Sequence, residues 1–196
     1  MTDFPTAMAA LEGASDFPGA YVAPFLDVLP VTGAAVSTLG ELLGSETLIA
    51  SDQRAARLDE LQFDLGEGPC WDAVRLGRPV LETDVRHSGR WPAFSTAITA
   101  EDVSSIFAFP LAVGSLRFGA IDLYSTAPVR LDETQARQAG AMAAVVGRHV
   151  LRRALADIGA EEIPTGYSRR IVHQATGVVL AQLDISPDDA LSLIHI

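Results

Sequence analysis

The only cysteine, Cys70, closes the run Leu65-Gly66-Glu67-Gly68-Pro69-Cys70, immediately ahead of a helical stretch. A thiol near a helix start has its thiolate favoured, which is the chemistry of a redox sensor; a small buried hydrophobe is the plainer reading. With no second cysteine there is no intrachain disulfide, no resolving thiol and no Cys-rich metal site. The spacing of Gly66, Gly68 and Pro69 fits neither a P-loop nor a dinucleotide fingerprint, so these residues read as a turn that swings the chain into the Cys70 helix. His87, His149, His173 and His195 include no pair three or four residues apart, so a helical metal pair is not expected. Ser115 follows Gly114 in a turn and lacks the Gly-x-Ser-x-Gly elbow of a hydrolase nucleophile. No catalytic residue and no metal site are assigned, and no cofactor is named by these residues.

Binding residues are easier to nominate. Trp71, Trp91, Phe109 and Tyr124 are candidates to line a ligand cavity, with Asp84 and Asp122 as its polar anchors. For Trp91 and Phe109 the competing reading is plain core. Asp122 sits in Ala120-Ile121-Asp122-Leu123-Tyr124, where strand alternation sets it opposite Ile121 and Leu123, so it is either a ligand anchor or a solvated outer-face residue. The tight basic pairs are Arg152-Arg153 and Arg169-Arg170. Arg169, Arg170, His173 and Gln174 fall on consecutive turns of one helical stretch and could reach phosphates or base edges; a solvated helix face is the alternative.

The rest of the chain sets bounds on these readings. Its 196 residues suffice for one sizeable domain and a short attached segment. Hydrophobic residues make up 48% and charged residues 20%, too apolar for a disordered chain. The formal net charge of -11 repels a phosphate backbone at long range, so any nucleic-acid contact must be local. All 14 basic residues are arginine, a coding bias of GC-rich genomes. No run of about 18 apolar residues is present, and Asp3, Glu12 and Asp16 occupy a start where a secretory signal would be basic, so the expected location is the cytoplasm, without a membrane.

The elements that must carry the candidates follow from periodicity and punctuation. A polar lead over 1–20 precedes a short helix at 21–29, closed by Pro30. Strands at 34–39 and 46–50 form a hairpin-like pair, and Asp52 offers an N-cap to a helix over 53–62 in which Ala55, Leu58 and Leu61 recur at helical spacing. A helix at 71–76 ends at Gly77, a strand follows at 79–82, and 83–95 reads as an irregular loop. Strands at 105–113 and 116–124 form a hairpin turned by Gly114-Ser115. Asp132, with Gln135 as capping-box partner, starts a long helix whose stripe of Ala139, Met142, Ala143, Val146, Val150, Ala154 and Ile158 exceeds what one sheet covers, which predicts a homodimer built on it. A linker at 159–166 separates this domain, 21–158, from a helical segment at 167–196.

Four stretches in fixed order, LGEGPCWDAVRLGRPVLETDV, RWPAF, SIFAFPLAV and GAIDLYS, resemble the GAF domains of actinobacterial regulators. IVHQATGVVLAQLDISPDDAL, from Ile171 to Leu191, resembles the first helix and the start of the second in ANTAR domains. The resemblance implies an α+β fold, a GAF-like antiparallel sheet flanked by helices, followed by a partial all-α ANTAR helical module. It further implies a non-enzymatic, signal-responsive transcription antitermination regulator whose GAF domain senses a small molecule or partner and whose ANTAR helices bind RNA hairpins. In the family a third helix follows, and the sequence stops before one, so the chain as given is expected to bind RNA weakly. Thr176 stands where many family members carry a basic residue. A sensory or dimerisation module without RNA binding is the alternative; a GAF-type sulfoxide reductase, which relies on several cysteines, fits poorly with Cys70 alone.

Overall fold

A computed structural model describes residues 2–14, 18–40 and 43–160. The segment expected to form ANTAR-like helices, and with it Arg169, Arg170, His173 and Gln174, lies outside the described residues.

Helix α1, Phe4–Glu12, opens the chain, with Asp3 as N-cap accepting from the Thr6 N–H at 3.0 Å. Ala7 and Leu11 are buried in the main core. The stretch read as a polar lead thus contains a packed helix: Phe4, Ala7, Met8 and Leu11 recur at helical spacing, and Asp3 caps them. After α2, Ala23–Val28, come β1, Gly33–Thr38, and β2, Glu46–Ala50. Helix α3, Gln53–Leu65, is capped by Asp52, whose carboxylate accepts from the Ala55 N–H at 3.0 Å, and ends on Gly66 in the left-handed conformation.

Helix α4, Pro69–Leu76, and the short β3, Val80–Glu82, follow. The segment read as an irregular loop over 83–95 instead holds a 3-10 turn at Val85–His87 and the start of α5, Pro92–Ala97. Pro92 suits a first helical turn, and the cap comes from far away in sequence: Glu67 accepts from the Phe94 N–H at 2.8 Å. The β4, Ser105–Val113, and β5, Leu116–Ser125, hairpin leads to α6, Glu133–Ala160. Its capping box is reciprocal: Asp132 accepts from Gln135 N–H at 2.8 Å, and Gln135 Oε1 accepts from Asp132 N–H at 2.9 Å.

The five strands form one antiparallel sheet in the order β2-β1-β5-β4-β3. One face, with Val36, Phe107, Phe109, Leu111, Ile121 and Leu123, packs against α1, α2 and α6. The other, with Ala35, Ile106, Ala108 and Tyr124, is covered by α3, α4 and α5. Ala139, Met142, Ala143, Val146 and Val150 are all buried in the first of these cores. The stripe expected to exceed the sheet is therefore absorbed by it as far as Val150, helped by α1 and α2, while Ala154 is half-buried. Among the described residues, no helix is long and apolar enough to cross a membrane.

Candidate functional site

Strand alternation decides which side chains can meet under α3 and α4. Asp122 shares its sheet face with Ala120 and Tyr124, and that face is roofed by helices, so Asp122 is buried rather than solvated. This corrects the outer-face alternative: both faces of the sheet are covered, and alternation alone cannot tell a second packed face from water. Opposite Asp122, α3 presents Asp59 and Gln62, both fully buried. Gln62 Nε2 donates to Asp122 Oδ2 at 2.5 Å, and Gln62 Oε1 accepts from the Cys70 N–H at 2.9 Å. The backbone carbonyl of Gln62, in the last turn of α3 where carbonyls lack helical partners, accepts from Trp71 Nε1 at 2.8 Å. One residue of α3 thus ties β5 to the first turn of α4.

Gly68 makes this possible. It is the N-cap of α4, offers no capping side chain, and lies at φ 144°, a conformation that favours glycine. A Cβ there would come within 2.5 Å of Gln62 Oε1, so a side chain would displace the amide that caps α4 in its place.

The electrostatics of the pair are unusual. Burial, the largest cause, pushes the Asp59 carboxyl up to about 6, against the hydrogen bond from Thr47 Oγ1 at 3.0 Å. Asp122 is pushed well above the usual carboxylate range by burial and then by the charge of Asp59. Burial, followed by the charges of both carboxyls, raises the Cys70 thiol well above its ordinary value. Cys70 is therefore a neutral, fully buried thiol, not one whose thiolate is favoured by its helix.

Above this layer the 66–72 turn walls a surface concavity of about 600 Å³, bordered by Glu67, Trp71, Asp72, Arg75, Arg90 and Trp91. Asp72 organises it: Arg90 donates to Asp72 Oδ2 at 2.8 Å, Trp91 Nε1 donates to the same oxygen at 3.2 Å, and Arg75 pairs with Oδ1. The Arg90 guanidinium lies 4.5 Å from the centre of the Trp91 ring. A second, open concavity of about 850 Å³ runs past Asp52, Arg54, Arg57, Glu60 and Tyr124. There the Tyr124 hydroxyl donates to Asp52 Oδ1 at 2.9 Å. Burial opposes the ionisation of Asp52, but hydrogen bonds from Ser51, Ala55 and Tyr124 hold its carboxyl below the usual range.

The six nominated ligand residues accordingly separate. Trp71 and Trp91 flank one concavity and Tyr124 borders the other, while Asp122 lines neither and is linked to the first only through Gln62. Phe109 belongs to the core on the opposite face of the sheet, and Asp84 is exposed beside His87, its carboxylate 2.9 Å from Nδ1. Neither reaches the concavities. Asp59, Gln62, Asp72 and Arg90 were not nominated, yet they hold the site together. A signal for two of them exists: Asp59 and Gln62 stand four and seven residues after Ala55, in phase with the apolar stripe of α3.

The GAF domain family profile matches residues 9–150. The chain belongs to the GAF domain family. Among solved structures, the GAF domain from an Acinetobacter phosphoenolpyruvate-protein phosphotransferase aligns with a TM-score of 0.63 at 12% identity, over 84% of this chain and 100% of that one. The GAF domain of the Coxiella burnetii phosphoenolpyruvate-protein phosphotransferase aligns at 0.60 and 10% identity, over 76% and 90%. The free methionine-R-sulfoxide reductase from Neisseria meningitidis, solved in complex with its substrate, aligns at 0.53 and 15% identity, over 74% and 84%. At these identities the likeness is one of fold. No curated protein sequence matches the chain. Within this GAF domain the space between the sheet and α3 is nearly filled: the void bordered by Ala35, Leu58, Gln62, Ile106 and Asp122 measures about 10 Å³. That is roughly the room one water needs.

Proposed function

We propose that this GAF domain is a non-enzymatic sensor whose ligand is read by the 66–72 turn. The observation that carries this is the Gln62 relay. The turn that walls the Trp71–Trp91 concavity is hydrogen-bonded through one buried side chain to Asp122 in the middle of the sheet. A small molecule that moves Trp71 or Asp72 therefore acts on α3 and β5 together, and a differential affinity for two arrangements of that layer is what a sensor requires.

The output we infer is transcription antitermination in the cytoplasm. The resemblance of Ile171–Leu191 to ANTAR helices supports RNA hairpins as the partner, with α6 joining sensor to effector. The homodimer that we propose with it must use a different face of α6 from the apolar stripe. Arg137, Ala141, Arg148 and Arg152 are exposed at spacings of four and seven residues and share one side of the helix.

Native mass spectrometry of the chain purified from a bacterial host tests the sensor reading. A bound small molecule, lost when Trp71 and Trp91 are both replaced by alanine in a still folded protein, is the expected result. A chain that carries nothing, and that no added metabolite extract shifts in mass, would overturn it.

A further inference from the structure

The Asp59–Asp122 pair is a cluster that the sensory reading does not use. Both residues are more than nine-tenths buried, and each keeps one carboxyl oxygen, Oδ1, without a hydrogen-bond donor. The groups that face them are few. Gln62 of α3 serves Asp122 Oδ2, Thr47 of β2 serves Asp59 Oδ2, and Cys70 of α4 is a neutral thiol. Ser37 of β1 acts on Asp59 without meeting hydrogen-bond geometry. Among the described residues, no arginine, lysine or histidine is one of the groups that act on either carboxyl.

Two bare carboxylates in contact inside a protein are not tolerable. Something positive must lie between them, and the choice is set by size. The void beside Asp122, which Asp59 does not line, measures about 10 Å³, at the lower limit for one water, and a calcium or magnesium ion needs six or more oxygens around it. A proton needs no room. We propose that Asp59 and Asp122 share a single proton at neutral pH, and that this proton latches α3 onto β5.

The donor pattern says where the proton sits. Each carboxyl has one donor on Oδ2, Thr47 for Asp59 and Gln62 for Asp122, and Asp122 is raised by the charge of Asp59 as well as by burial. The arrangement that uses both orphan oxygens is Asp122 Oδ1–H donating to Asp59 Oδ1, with Asp122 Oδ2 left as the carbonyl oxygen that accepts from Gln62. Removing the proton puts two like charges face to face in a medium of low dielectric. The cheapest relief is for α3 to move outward, and Gln62 then carries the motion to Cys70 and Trp71. The latch operates whether or not a ligand occupies the concavity.

Infrared spectroscopy of the full chain in heavy water tests the proton. The expected result is a protonated-carboxyl C=O band at neutral pH that shifts on isotopic labelling of aspartate and is lost in Asp122→Asn. The labelling arm needs no variant, so a variant that does not fold leaves the test intact. Absence of an aspartate band in the wild type means that both carboxylates are ionised and overturns the proposal. Fluorescence tests the latch: in a Trp91→Phe background, where Trp71 is the only tryptophan, emission should shift between neutral and alkaline pH. A band without that shift would leave the proton and overturn the latch.

Discussion

Gln62 Nε2 lies 2.5 Å from Asp122 Oδ2, sixty positions away in the chain, and the same amide caps α4 through the Cys70 N–H. The three bonds made by this residue are buried or half-buried, so water cannot replace them when the side chain is removed. Gln62→Leu keeps the volume but strands the Asp122 carboxyl and the Cys70 N–H. Each buried group left without a partner costs about 1–3 kcal/mol, which predicts a loss of several kcal/mol. Urea unfolding checks it; a change within about 0.5 kcal/mol, the range of an ordinary surface substitution, would show that the relay bears no weight.

The acid pair fixes the sign of the pH dependence. Both carboxyls are raised above the ordinary value of 3.8 that holds in the unfolded chain, Asp59 to about 6 and Asp122 well above the usual carboxylate range. The folded state therefore binds more protons above 3.8, and stability falls as pH rises, by roughly 1.4 kcal/mol per pH unit for each extra proton. The Asp59 contribution is fully present below 3.8 and is lost as pH passes about 6. Asp52, whose carboxyl is lowered, acts in the opposite sense: its contribution is present above 3.8 and is lost as pH falls below that value. Stability measured by denaturant titration should therefore peak in mildly acid buffer. Asp122→Asn should flatten the alkaline limb, and a wild type most stable at alkaline pH would contradict the assignment.

Cys70 is completely buried, and its thiol is pushed up by burial and by both carboxyls. Alkylation by iodoacetamide in the folded protein should accordingly proceed only as fast as the chain opens, and Cys70→Ser should cost about 1 kcal/mol through the buried hydroxyl. Rapid labelling under native conditions would revive the thiol as a redox sensor.

Much of this arrangement was legible in the sequence, for physical reasons that also mark where legibility ends. The Asp132–Gln135 box and the Asp52 cap are local, so their spacing predicts them, and both form as read. The hairpin turned at Gly114 is equally local. The cap of α5 comes from Glu67, twenty-seven residues earlier, and no local pattern announces it. Asp122 was visible as an anomaly in an apolar strand, and Asp59 is marked only by its phase with the apolar stripe of α3; that the two meet shows only when the fold sets α3 against β5.

The structure also separates two roles that one stripe of α6 was expected to combine. Val146 and Val150 are 0% and 4% exposed, and both lie in the core formed with α1, α2 and the sheet. A glutamate at Val146 must be buried within that core, an uncompensated charge in an apolar site, and the cost should exceed about 3 kcal/mol. The expected outcome for Val146→Glu is loss of the folded domain, with melting detected by circular dichroism, rather than a folded monomer. Arg148→Glu, on the exposed side of the helix, leaves the core untouched and should preserve the fold. If the homodimer uses that exposed face, Arg148→Glu changes its sedimentation coefficient at micromolar concentration while the far-ultraviolet spectrum stays that of the wild type. A Val146→Glu protein that remained folded and sedimented as a monomer would return the dimer seam to the apolar stripe, and the packing of α6 described here would be wrong.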